Sequence, residues 1–186
     1  MKTRIVDGKD STLVTVTNRG GNQKLVKEYV YDAGKPVEQT AEDTDDLVVS
    51  MGRTISLGNF EFSRVNMGIR IGLHNPNSDE RHLAHAMMIE GVKHVLDREE
   101  ASVRGQDVIK KPFPKLDGFG VKRSVWLEYG LTIKGEGMDS FKVDVALSRH
   151  VGDKDSIEQT IHELSEEIGV RIGEEADIIR NPEKRT

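Results

Sequence analysis

The sequence predicts an α+β protein: a duplicated strand–strand–helix unit forming an antiparallel sheet with two helices on one face, plus an N-terminal β-hairpin arm. Three observations predict it. Apolar and polar residues alternate in two pairs of neighbouring segments. Each pair runs into a segment whose apolar residues recur at helical spacing. A shift of 78 residues then lays the second set on the first without a gap.

The elements follow in order. Thr12–Thr17 is β-branched and strand-like, Asn18–Asn22 has turn chemistry, and Lys24–Tyr31 reads as the return strand. Asp32–Pro36 breaks the pattern, and Glu38–Asp46 carries acids without a base, so residues 1–46 read as a hairpin and an acidic linker. The duplicated domain spans 47–186, with halves at about 47–100 and 124–178 and a connector over 101–123. In its first half Leu47–Leu57 is a strand, Gly58-Asn59 a turn, and Phe60–Leu73 a second strand. Val65, Met67, Ile69 and Ile71 alternate there with Arg64, Asn66, Gly68 and Arg70. Ser78 is the expected cap of a helix with the stripe Leu83, Ala84, Met87, Met88, Val92 and Val95. In the second half Ser124–Lys134 and Ser140–Arg149 are strands, and Asp155-Ser156 caps a helix with the stripe Ile157, Ile161, Leu164, Ile168 and Ile172.

The repeat rests on eight identities over about fifty positions, among them Gly52 with Gly130, Ile55 with Ile133 and Val65 with Val143. A Gly-Val pair, Gly91-Val92 and Gly169-Val170, stands in both helices. Two helices covering one face of the sheet leave the other face open, with Phe62, Arg64, Asn66, Arg70, Trp126, Glu128, Thr132, Lys134, Lys142, Asp144 and Ser148 on it.

Composition narrows the function. The 186 residues lack cysteine, which removes disulfides, thiolate metal sites and cysteine nucleophiles and points to a reducing, cytoplasmic setting. No apolar run reaches membrane-span length. The net charge of −5 argues against adhesion to phosphate by overall charge, so a nucleic-acid site has to be a local patch. The basic stretch from Lys110 to Trp126 is such a patch, interleaving five bases with three aromatic residues and one acid.

No catalytic constellation emerges, and no cofactor or metal site is expected. His82 and His85 share a helix, but His162-Glu163 lacks the second histidine of a metalloprotease helix. The Gly-rich loops lack the Lys-Ser/Thr of a phosphate loop. An enzyme, such as a metal-dependent nuclease, stays the third reading.

The segment Gly52–Val65, with Arg53-Thr54-Ile55-Ser56-Leu57-Gly58-Asn59-Phe60-Glu61, resembles a motif of small phage- and plasmid-borne proteins, R-T-I-x-L-G-N-[FY]-E. Those proteins are mostly of unassigned function and some lie among replication genes. The resemblance covers about a quarter of the chain and implies a mobile-element origin and a DNA-related role. It carries no catalytic residue across.

The expected function is therefore non-catalytic binding of single-stranded nucleic acid, DNA in replication or recombination. Arg53, Arg64, Arg70, Lys110, Lys111, Lys115, Lys122, Arg123, Lys134 and Lys142 would meet the backbone, and Phe62, Phe113, Phe119 and Trp126 would stack on bases. The alternative is an oligomeric assembly protein whose exposed sheet binds another copy. A homo-oligomer is expected under both.

Overall fold

A computed structural model describes residues 11–18, 24–32, 44–58, 61–107, 111–120, 122–134 and 140–181. Within them run β1 (Ser11–Asn18), β2 (Lys24–Asp32), β3 (Thr44–Gly58), β4 (Glu61–His74), α1 (Ser78–Val103), β5 (Lys122–Lys134), β6 (Ser140–Val151) and α2 (Ile157–Arg180). The expected turns at 19–22 and 135–137, most of the acidic linker, and Lys110 lie outside the described residues.

The strands form one antiparallel sheet in the order β2-β1-β6-β5-β4-β3. Alternation dictates which side of it is dry. Val65, Met67, Ile69 and Ile71 of β4 face the same way as Val125 and Leu127 of β5, Val143, Val145 and Leu147 of β6, and Val14 and Val16 of β1, and all are buried. Each such side chain contributes about 1.5–3 kcal/mol when fully buried, so a slip of one residue would be costly. Both helices cover this face, α1 over β3 and β4 and α2 over β5 and β6. Among the described residues, no helix is long and apolar enough to cross a membrane.

Two local features differ from the sequence reading. The cap of α1 is Asn77, one residue before Ser78; its side chain accepts from the Glu80 amide at 2.9 Å while Glu80 accepts from the Asn77 amide at 3.0 Å. And β3 begins at Thr44, so Asp45 and Asp46 are strand residues. Ion pairs hold them there: Asp45 meets Arg81 of α1 and Asp46 meets Arg70 of β4.

The two strand–strand–helix units coincide only in part. Shifted by 78 residues, the strands agree in face as well as in order: Val65 and Val143 are buried alike, as are Ile55 and Ile133. The helices do not follow. Val92 is fully buried, whereas Val170 is 61% exposed, and Gly91 lies under Leu116 and Phe113 while Gly169 has no such neighbour. The shared Gly-Val pair therefore points in different directions in the two helices and is not a common packing feature.

The connector runs on the helix side of the sheet. Leu116 is buried beside Gly91, where a Cβ would sit 3.1 Å from both Leu116 and Phe113, so glycine lets the connector lie close to α1. Asp117 accepts from the Ile157 amide at 2.8 Å, at the start of α2. Arg123 donates to the carbonyls of Asp117 and Gly152, which ties the connector to the loop between β6 and α2.

Candidate nucleic-acid interface

On the face away from the helices, β4 presents Phe62, Arg64, Asn66, Gly68 and Arg70, and β5 presents Ser124, Trp126, Glu128, Gly130 and Thr132. Lys142, Asp144, Ala146 and Ser148 of β6 continue the rows. Among the described residues, no helix packs on this side.

Glycines shape the surface. A Cβ on Gly68 would lie 1.9 Å from the Trp126 ring, so the indole crosses directly over the β4 backbone. Asn66 reaches across Gly52 in the same manner, and Arg64 and Asp144 approach each other over Gly130. Where strand side chains ordinarily stand up from the sheet, these rows lie low. Phe62, by contrast, is 42% exposed.

The charges interleave. Arg70 makes two hydrogen bonds to Asp46, from Nε at 3.0 Å and from a terminal nitrogen at 2.5 Å. Asp144 accepts from Lys142 through both oxygens and pairs with Arg64 at 3.5 Å. Glu128 is 4% exposed; Asn66 donates to its Oε2 at 3.2 Å. Its Oε1 has no hydrogen-bond donor among the described residues. That oxygen is buried with the rest of the carboxylate, so Glu128 acts on this face through Asn66 rather than by direct contact.

Most of the fourteen residues expected at the site divide between two layers. Phe62, Arg64, Arg70, Trp126 and Lys142 share the open face, and Lys134 occupies the same side of β5 by register; Lys122 is the first residue of that strand. Arg53, Arg123 and the connector residues Lys111, Phe113, Lys115 and Phe119 belong to the helix layer. Arg123 is 2% exposed and spends its guanidinium on backbone carbonyls. Arg53 is held by Asp97 at 2.5 Å and Glu100 at 2.8 Å. Burial opposes its charge, but the two carboxylates outweigh burial and raise its pKa further. Phe113 meets the His94 ring edge-on with centroids 5.6 Å apart, and Phe119 packs against the core. Lys111 lies 3.6 Å from Glu90. One strand stretched across the open face cannot touch this second group, so the surface that can act as a unit is smaller than the sequence suggested. Lys110 lies outside the described residues.

Sequence reasoning missed the most connected polar group of the helix layer. Glu99 of α1 is buried and accepts from Tyr129 of β5, from Ser165 of α2 at 2.8 Å, and from Arg98 at 2.9 Å. Burial, together with the adjacent Glu99 charge, pushes the Tyr129 phenol far above its ordinary range. A signal was present: Tyr129 is the hydroxylated member of the apolar row Val125, Leu127, Tyr129, Leu131, Ile133, and a buried phenol needs an acceptor. Among the described residues no cluster of histidines and carboxylates is arranged to hold a metal ion.

No family model, curated protein or solved structure matches the chain.

Proposed function

We propose that this protein binds single-stranded nucleic acid without catalysis, DNA in the first instance, on the open face of its sheet. The observation that carries the reading is Trp126 lying across Gly68, on the sheet face opposite α1 and α2 that also holds Arg64, Arg70 and Lys142. A ring set low on the sheet is suited to base stacking, which is worth about 1–3 kcal/mol per base, while the guanidinium and ammonium groups follow the phosphates. Phe62 stands six residues along β4 from Gly68, roughly 20 Å at strand spacing. That is a span a few nucleotides can cover. Asp46, Asp144 and Glu128 hold these cations and Asn66 in place, and they keep the patch from binding phosphate indiscriminately.

The Gly52–Val65 motif supports a DNA-related role in a mobile element, and the common facing of the strands supports an origin of β3–β4 and β5–β6 by duplication. The test is titration of the purified protein with unlabelled single-stranded oligonucleotides, following the sole tryptophan and gel mobility at low and high salt. Quenching that weakens steeply with salt is expected. If fluorescence and mobility both ignore the oligonucleotide at low salt, the reading is wrong.

A further inference from the structure

The outer edge of β3 is the feature that the nucleic-acid reading leaves unused. β3 is the end strand of the sheet among the described residues, and at fifteen residues it is the longest strand. Edge strands in monomeric proteins are kept short, or carry proline, lysine or a bulge that prevents another chain from pairing with them. β3 carries no proline or lysine, and its one irregularity lies at its very end, between Ser56 and Gly58. From Leu47 to Gly58 its single charged residue is Arg53. Val48 is 53% exposed on it.

We infer that β3 pairs with β3 of a second copy of this chain, antiparallel, about a twofold axis at Val49. The charges select this register. An axis perpendicular to the sheet keeps the helices of both copies on one side, so each residue must face one of the same parity. With Val49 opposite itself, Asp45, which pairs with Arg81 in its own chain, faces Arg53 of the other copy, which pairs with Asp97 and Glu100, so the contact joins two existing ion-pair clusters; Leu47 faces Met51, and Val48 faces Ser50. Moving the axis to Ser50 sets Asp45 against Ile55 and Arg53 against Leu47, and moving it to Val48 sets Asp45 against Met51, so either shift separates Asp45 from Arg53. The pairing from Thr44 to Thr54 supplies roughly ten backbone hydrogen bonds, about the number found in a stable interface. Because α1 lies over both β3 and β4, the two α1 helices come to about 10 Å apart, an ordinary helix-packing distance. The dimer is a continuous twelve-stranded sheet with two open faces side by side.

Val48 and Ser50 are both exposed, so substitutions there test the contact without touching the core. In the proposed register V48K/S50K sets lysines opposite lysines across the axis, whereas V48K/S50E sets lysines opposite glutamates. Light scattering on the full chain at tens of micromolar is expected to give a dimer for the wild type and for V48K/S50E. V48K/S50K is expected to run as a monomer with unchanged circular dichroism, its dissociation constant raised at least tenfold. A monomeric wild type overturns the inference. So does a dimer that V48K/S50K leaves intact, which would place the contact on another surface. If both double variants are monomeric and folded, the register is wrong. None of these outcomes depends on oligonucleotide binding.

Discussion

Tyr129 donates its phenolic proton to Glu99, and Ser165 donates to the other oxygen of the same carboxylate at 2.8 Å, so one buried acid joins β5, α1 and α2. Each helix otherwise packs on its own strand pair. Tyr129→Phe removes a donor and leaves a buried oxygen short of a partner. A loss of about 1–3 kcal/mol is expected in denaturant titration. An unchanged midpoint would mean that water replaces the phenol without cost.

Gly68→Ala puts a methyl group where the Trp126 ring lies. The indole must move, and a loss of about 1–3 kcal/mol is expected, with a shifted tryptophan emission and weaker oligonucleotide binding. Gly169→Ala is the control. It is helical, exposed and has open space around its Cα, so the substitution should stabilise the fold by about 0.5–1 kcal/mol.

Charge removal should separate the two layers. Lys142→Gln lies on the proposed interface and should lower the slope of log affinity against log salt by about 0.7. Arg53→Met, in the helix layer, should leave that slope alone and cost at most about 1 kcal/mol of stability, because its ion pairs are partly exposed. A change of slope in Arg53→Met would put this residue back at the interface.

His94 supplies a pH dependence. Burial, and then the nearby Arg98 charge, hold its pKa below the ordinary 6.5. The unfolded chain therefore takes up the proton first as pH falls, and the neutral ring is the form that favours folding. Stability contributed by His94 is complete above about pH 6.5 and is lost as pH drops through the interval down to the folded value. Glu100 acts in a lower window. Arg104, then Arg53, keep its carboxylate below 4.5, so its contribution is present above that value and is lost further down. Melting temperatures at pH 7.5 and 5.5 should differ less in His94→Leu than in the wild type. An equal difference would remove His94 as the cause.

Much of the fold is legible because alternation in a strand is a binary pattern with one buried solution. Val65, Met67 and Ile69 could face only one way, and their neighbours Arg64, Asn66 and Arg70 only the other. What was not legible depended on contacts between elements. The basic, aromatic connector has the composition of a binding loop, yet Phe113 and Leu116 find a slot beside Gly91 that exists only once α1 has packed. Arg123 sits at a position that reads as surface until the loop carbonyls of Asp117 and Gly152 close around it. The Gly-Val pair looked like shared architecture because sequence alignment does not record the rotation of a helix about its axis.

The pairing of β1 with β6 has a consequence during synthesis. Val14 lies opposite Val145, roughly 130 residues further along the chain. At about 5–20 residues per second, β1 leaves the ribosome on the order of ten seconds before its partner exists. Over that interval β3, β4 and α1 can collapse on local contacts alone, while Val14 and Val16 stay exposed to whatever else is nearby. β1 is therefore the last of these strands to gain its central partner, although it is the first to be made.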